Sequence, residues 1–218
     1  MVQKGVGYYY VLVCVFQVAW TFSFAYEVIW LSLLFILLIW ISLCALVYSQ
    51  YYTESNHSLM EFWFFRFPFG IHCGWLTAAS VVNVNLVVVD SNAPANVQLA
   101  VGIVSLAYLH AVSVWVLFGL KRNPNYTIAS VLAWANGWIY AELSSPSESI
   151  MALFDANTIS GVSYAAAAVA YIITGQIVIR SALCVVEKYT NRNDETEEQQ
   201  LKYPEEGEDE QELVDAKV

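Results

Sequence analysis

The chain has 218 residues, of which 58% are hydrophobic and 13% are charged, and its mean hydropathy is +0.53. Soluble domains carry about 25% charged residues, so this composition excludes an ordinary soluble enzyme and predicts a membrane protein. The formal net charge is −10, and most of it lies after residue 186, where twelve Asp or Glu residues stand against four Lys or Arg residues.

Apolar runs divide the chain into six predicted transmembrane helices. A helix needs about 20 residues to cross a bilayer. Six runs come close to that length, at residues 6–24, 28–50, 67–89, 98–120, 126–143 and 160–184. Their connections are short, apart from a predicted loop at residues 51–66. The predicted fold is therefore all-α, a polytopic membrane bundle of six helices over residues 1–186.

The basic residues predict how this bundle is oriented. All nine fall on the side of the N-terminus and the even-numbered connections: Lys4, Arg66, Lys121, Arg122, Arg180, Lys188, Arg192, Lys202 and Lys217. The odd-numbered connections hold only acidic charges: Glu27, Asp90, Glu142, Glu148 and Asp155. Because basic residues near span ends are retained in the cytoplasm, both termini are predicted to be cytoplasmic.

Residues 187–218 are predicted to form a disordered acidic tail, because they contain too few apolar residues to offset the entropy of ordering. The tail is interpreted either as a solvating segment or as a docking site for a cytoplasmic protein. No feature of the chain indicates nucleic-acid binding, and a homodimer stays an alternative to a monomer.

The last span is rich in small residues. Gly161, Gly175 and the alanines at 165–168 let helix backbones approach closely, so the last span is predicted to be central to the bundle. The four cysteines each lie in a different predicted helix: Cys14, Cys44, Cys73 and Cys184. They are interpreted as small buried apolar residues, and neither a zinc site nor a disulfide framework is predicted.

Polar and aromatic side chains form one stripe along the third span. His72, Trp75, Ala79 and Asn83 are 3, 4 and 4 residues apart, which places them within about 80° of one another on a helix. One interpretation is a ligand cleft with a few polar contacts between aromatic walls. The other is interhelical hydrogen bonding that fixes the bundle.

Tryptophans recur inside two other spans. Trp134 and Trp138 lie four residues apart in the fifth span, and Trp20 lies in the first. Such spacing by itself is more typical of packing than of a ligand site. His72 and His110 are the histidines inside spans, but their different depths argue against a haem held by both. No arrangement of residues indicates catalysis or a metal site.

Two segments resemble motifs of a known membrane family. Pro68-Phe69, followed by Trp75, Ala79 and Asn83, resembles the signature of the tryptophan-rich sensory protein (TspO) or translocator protein family. The segment 17–24 (QVAWTFSF) is similar to that family's preceding motif, with Gln for Asn. The first three spans thus resemble the last three of the family's five. The resemblance covers about residues 8–90, and residues 91–143 more loosely.

The resemblance implies a helical bundle that binds a flat hydrophobic ligand, such as a porphyrin, haem or a sterol, and that transports or senses it. It also implies that Trp20, Trp75, Ala79 and Asn83 line or brace the pocket. With the stripe and the internal tryptophans, it predicts a non-enzymatic protein whose ligand site contains Trp20, His72, Trp75, Ala79, Asn83, Trp134 and Trp138. Two alternatives stay open: a small-solute transporter, and a structural or adaptor subunit that recruits partners through its tail.

Overall fold

The computed structural model describes residues 5–54, 58–120 and 123–202, with the side chains of these residues except 191 and 193–202. Within these ranges the chain forms helices and no strand. We number them α1 (Tyr9–Ala25), α2 (Ile29–Tyr52), α3 (Leu59–Asp90), α4 (Ala95–Gly119), α5 (Tyr126–Ser144), α6 (Glu148–Leu153) and α7 (Ala156–Lys202). Each of the six predicted spans corresponds to one long helix, and α6 is a short addition.

Four helices of the described chain are long and apolar enough to cross a bilayer: α2, α3, α4 and the Ala156–Thr190 part of α7. The apolar α1 has 17 residues, and α5 has 19 residues that include the polar Asn136 and Glu142. The four apolar helices make this an integral membrane protein. The count of six spans stays a prediction.

The packing is organised around α3. α1 and α2 form a hairpin whose turn places Glu27 at a φ of 58°, in the left-handed region. α2 packs against α3, α3 packs against α5, and α4 contacts both α3 and α5. The core between the helices consists of fully buried aliphatic side chains, among them Ile39, Leu43, Leu117, Leu132 and Ile173.

A line of polar contacts, which we call the polar seam, joins α2 to α3. It consists of Ser32 Oγ–Asn83 Oδ1 (2.9 Å), Trp40 Nε1–Thr77 Oγ1 (3.0 Å), Cys44 Sγ–Cys73 Sγ (3.9 Å) and Gln50 Nε2–Phe65 O (3.0 Å). Residue numbers rise along α2 as they fall along α3, so the helices are antiparallel and keep one register. Because an apolar interior offers few other partners to these groups, the seam fixes α2 against α3.

Two glycines let α3 approach α5 closely. A Cβ built on Gly74 would lie 2.9 Å from the Cβ of Val131 and 3.3 Å from the Cα of Ile128. A Cβ on Gly70, one turn earlier, would lie 3.2 Å from the Cβ of Thr127. Gly74 therefore has no room for a side chain, and the close helix contact of this bundle is made at α3.

The last helix is not central, contrary to the prediction. A Cβ built on Gly161 or Gly175 would meet no described atom within 4 Å. Only 11% of the most apolar window of Ala156–Thr190 is buried, against 44% for α3. Small residues permit close packing but do not require it, and neither Gly161 nor Gly175 is used for it here.

Residues 187–202 are helical, where the sequence predicts a disordered tail, because α7 continues to Lys202. This segment contains Glu, Gln, Lys and Arg and has neither Gly nor Pro. Such residues allow an existing helix to propagate without burying apolar surface. The prediction of disorder rested only on the lack of apolar residues and left out the helix propensity of this segment. Residues 203–218 lie outside the described residues.

Part of the predicted 51–66 loop is also helical. α3 begins at Leu59, and the hydroxyl of Ser58 accepts a hydrogen bond from the backbone N–H of Glu61 at 3.1 Å. This is the N-cap arrangement, which satisfies one of the free N–H groups at a helix start. Phe62–Arg66 then form a π-helical turn that leads into the apolar part of α3.

Candidate functional site

Three of the seven predicted site residues meet on the outside of the bundle. The ring centroid of Trp75 on α3 lies 5.6 Å from that of Trp134 on α5, and the centroids of Trp134 and Trp138 are 5.8 Å apart. All three side chains are about half exposed, at 48%, 52% and 59%. We call this surface the tryptophan face. It forms because α3 and α5 run parallel and touch at Gly74.

Asn83 and Ala79 lie on the inner side of α3. The Asn83 amide is buried, accepts a hydrogen bond from the Ser32 hydroxyl at 2.9 Å, and donates one to the carbonyl of Ala79 at 3.0 Å. Ala79 is partly buried against the core. Asn83 therefore takes part in the polar seam. This position agrees with interhelical hydrogen bonding, one of the two interpretations of the stripe.

Trp20 and His72 lie near other aromatic rings. Trp20 packs against the core and stacks on Phe24 of its own helix, with 5.2 Å between ring centroids. Its indole Nε1 is buried and has no hydrogen-bond partner among the described residues. His72 is partly buried, with its ring 6.5 Å from that of Tyr10 on α1.

A cavity of about 470 Å³, which we call the α2–α4 cavity, lies between α2, α3 and α4. Its lining is almost entirely apolar and includes Leu37, Trp40, Ser80, Val84, Val104 and Tyr108. None of the seven predicted site residues lines it. Small-molecule sites are typically apolar concavities of roughly 300–1,000 Å³. This cavity has the size and the polarity of a site for a hydrophobic molecule.

One hydroxyl at the wall of the α2–α4 cavity lacks a hydrogen-bond partner among the described residues. Ser80 is buried, and its Oγ has no hydrogen-bond partner among the described residues. In contrast, the hydroxyl of Ser105 donates to the Val101 carbonyl at 2.7 Å and accepts from Asn85 at 2.9 Å. A buried polar group without a partner is costly. The Oγ of Ser80 itself has almost no accessible surface, so it lies just behind the cavity wall.

Sequence reasoning missed Ser80, and the reason is physical. A serine or threonine inside a helix commonly bonds the carbonyl one turn back, as Thr77 does to Cys73 at 2.8 Å. The sequence does not reveal which hydroxyl lacks this hydrogen bond to the preceding turn. The signal in the sequence is the pair of hydroxyl residues on α3, Thr77 and Ser80, which lie beside the stripe of His72, Trp75, Ala79 and Asn83.

A second cavity, of about 580 Å³, lies where α5, α6 and α7 meet. It has a mixed lining that includes Tyr140, Pro146, Phe154, Asp155 and Tyr164. Hydrogen bonds from the Thr158 hydroxyl and from the backbone N–H groups of Thr158 and Asn157 lower the pKa of the Asp155 carboxyl below its ordinary value. These hydrogen bonds hold the Asp155 carboxylate against the first turn of α7.

The described residues offer no metal site, because no three His, Cys, Asp or Glu side chains among them lie close enough to hold an ion. His110 Nδ1 is buried without a hydrogen-bond partner in the described part of the chain.

Comparison with protein-family models gives a match that covers most of the chain. A family model described as TSPO-like protein matches residues 1–179 of the 218. The match extends beyond the segments in which the motifs were recognised and reaches into α7. No curated protein and no solved structure matches the chain.

Proposed function

Because this chain belongs to the TSPO-like protein family, we propose that it is a multi-pass membrane protein that binds a hydrophobic planar ligand of the tetrapyrrole or sterol type. The proposed role is non-enzymatic, and the bound ligand is either transported or sensed. The observation that carries the proposal is the α2–α4 cavity, an apolar space of about 470 Å³ beside the unpartnered hydroxyl of Ser80.

The chemistry of this cavity supports such a ligand. An apolar ligand gains free energy from contact with side chains such as Leu37, Val84 and Val104. The rings of Trp40 and Tyr108 offer flat surfaces against which a planar molecule can lie. The tryptophan face is the second proposed location for binding. It contains Trp75, which the family resemblance implies, and Trp134 and Trp138, which the sequence pattern added.

A titration separates these possibilities. Purified protein in detergent is titrated with protoporphyrin IX and with haem, and tryptophan quenching and the Soret band are followed. Val84→Phe narrows the α2–α4 cavity, whereas Val82→Phe changes an exposed position of α3 and serves as the control. Binding is expected to saturate at one ligand per chain and to weaken at least tenfold in Val84→Phe alone.

Other outcomes have definite meanings. Weakening by Trp75→Ala, with Val84→Phe unaffected, would move the site to the tryptophan face. Quenching that rises linearly without saturation in every variant would contradict ligand binding of either kind.

We also propose that the chain spans the membrane six times with both termini in the cytoplasm. The six long helices match the six apolar runs. Among the described residues, Arg66 precedes the apolar part of α3, whereas Asp90 ends α3 and Glu148 begins α6, which is the arrangement that the proposed orientation requires. Lys4, Lys121 and Arg122, which the orientation also relies on, lie outside the described residues.

A further inference from the structure

Two thiols from different helices touch inside the bundle. Cys44 of α2 and Cys73 of α3 are both free cysteines, and their sulfur atoms are 3.9 Å apart. Because each cysteine lies in its own helix, the sequence gives no sign of this pair. The contact belongs to the polar seam. The other seam contacts named above are hydrogen bonds, whereas this one joins two thiols that can react with each other.

The neighbouring seam contacts hold the two thiols in place. One helical turn away, Trp40 Nε1 donates a hydrogen bond to Thr77 Oγ1 at 3.0 Å. It joins the same two helices in the same register. A disulfide requires sulfur atoms about 2.05 Å apart. The two sulfur atoms are thus about 2 Å farther apart than in a disulfide.

We propose that Cys44 and Cys73 are a redox-modification site, at which a lipid-soluble hydroperoxide converts the two thiols into an intramolecular disulfide. Cys44 is the partly exposed member, and Cys73 is buried with 3% of its surface exposed. Cys44 therefore meets the oxidant first, and Cys73 is the thiol that resolves the intermediate. This proposal does not depend on ligand binding.

The reaction balances in two steps. The Cys44 thiolate attacks the peroxide, so the O–O bond breaks, an S–O bond forms and the alkoxide leaves as an alcohol with one proton. The resulting sulfenic acid then reacts with the Cys73 thiol, so the S–O bond breaks, the S–S bond forms and water leaves. The two sulfur atoms together give up two electrons to the peroxide. A dithiol reductant reverses the reaction by exchange.

The disulfide would tie α2 to α3 close to the wall of the α2–α4 cavity. Trp40 precedes Cys44 by one turn, and Ser80 follows Cys73 by two turns, and both line the cavity. A covalent bond here restrains the unfolded chain and the relative movement of two cavity walls. The oxidised protein is therefore expected to have a higher Tm than the reduced protein.

The test counts free thiols. Protein in lipid nanodiscs is treated with tert-butyl hydroperoxide, denatured in detergent and labelled with a polyethylene glycol maleimide, so that each free thiol adds a fixed mass on a gel. The count is expected to fall from four to two and to return to four after dithiothreitol. In Cys14→Ala/Cys184→Ala, which leaves the pair untouched, it is expected to fall from two to none.

Single variants at the pair provide the contrast. Cys44→Ser is expected to retain all three remaining thiols, whereas Cys73→Ser is expected to lose only the Cys44 thiol, as a sulfenic acid that has no resolving partner. Neither variant should show an increase in Tm on oxidation. The proposal is overturned if Cys14→Ala/Cys184→Ala keeps both thiols free, or if the loss in the natural chain appears as a dimer on a non-reducing gel. Loss that dithiothreitol does not reverse would also overturn it, because it would indicate oxidation to sulfinic acid.

Discussion

Asn83 illustrates how single polar side chains act inside this bundle. Its amide oxygen accepts the hydrogen bond of Ser32, which is fully buried, and its amide nitrogen donates to the carbonyl one turn back on α3. Both partners lie in apolar surroundings, so removal of either one leaves the other unsatisfied. At the scale of the residue, Asn83 therefore stabilises the contact between α2 and α3, whether or not it also affects a ligand.

We predict that Asn83→Leu and Ser32→Ala are coupled. Interhelical hydrogen bonds in membrane bundles contribute about 0.6–2 kcal/mol, so the coupling energy in a double-mutant cycle should fall in that range. The measurement is the free energy of unfolding in detergent for both single variants and the double variant. Val82→Leu, at an exposed position of α3, is the control. Additivity within about 0.5 kcal/mol would show that the hydrogen bond contributes nothing.

At the scale of the element, α3 is the helix on which the others depend. One side of it forms the polar seam with α2, another touches α5 through Gly70 and Gly74, and a third lines the α2–α4 cavity through Ser80 and Val84. The same helix carries Trp75 to the tryptophan face. Because α5 approaches so closely at Gly74, the rings of Trp75 and Trp134 come into contact.

We predict that Gly74→Ala destabilises the bundle. Its new Cβ would lie 2.9 Å from the Cβ of Val131 and 3.3 Å from backbone, so α3 and α5 must separate. Overpacking of this kind costs about 1–3 kcal/mol. The matched control is Gly137→Ala on α5, where a Cβ meets no described atom within 4 Å. It should be neutral or stabilising by up to about 1 kcal/mol, since alanine favours helices.

Thermal unfolding in detergent distinguishes these two variants. An equal or smaller decrease in Tm for Gly74→Ala than for Gly137→Ala would mean that the α3–α5 contact is looser in solution than in the structure.

At the scale of the whole molecule, the charged residues bear on the proposed six-span topology. Among the described residues, Asp90 ends α3, Glu148 begins α6, Asp155 directly precedes α7, and Arg66 precedes the apolar part of α3. Charged side chains at such ends are read by the insertion machinery. A six-span chain places the connection at residues 91–94 and the connection at residues 145–155 on one side, and Asn123 on the opposite side.

We predict that labelling of single introduced cysteines will show the six-span topology. In a background from which the four native cysteines have been removed, Ser91→Cys and Ser149→Cys should be labelled by an impermeant maleimide from the non-cytoplasmic side of sealed vesicles. Asn123→Cys should be labelled from the cytoplasmic side. All three native side chains are exposed. Labelling of positions 91 and 123 from the same side would contradict the six-span topology.

The candidate site was only partly predictable. Trp134 and Trp138 share a helical spacing in the sequence and Trp75 belongs to the stripe of the third span, and the structure brings the three together. Whether they bind a ligand stays a prediction. Ser80 and Tyr108 were not singled out, because a cavity arises from the gap between three helices and no single helix carries its pattern. Cys44 and Cys73 were interpreted as isolated for the same reason.

The sequence by itself determined that this is an all-helical membrane protein of a recognisable family, with acidic and basic charges at separate positions along the chain. These properties are local, since each span must satisfy its own backbone hydrogen bonds in lipid. Only the tertiary structure decided which faces meet: that α3 rather than α7 makes the close contacts, and that the cavity lies between α2, α3 and α4. In lipid, a buried side and an exposed side of a helix are equally apolar, so hydrophobicity does not tell them apart.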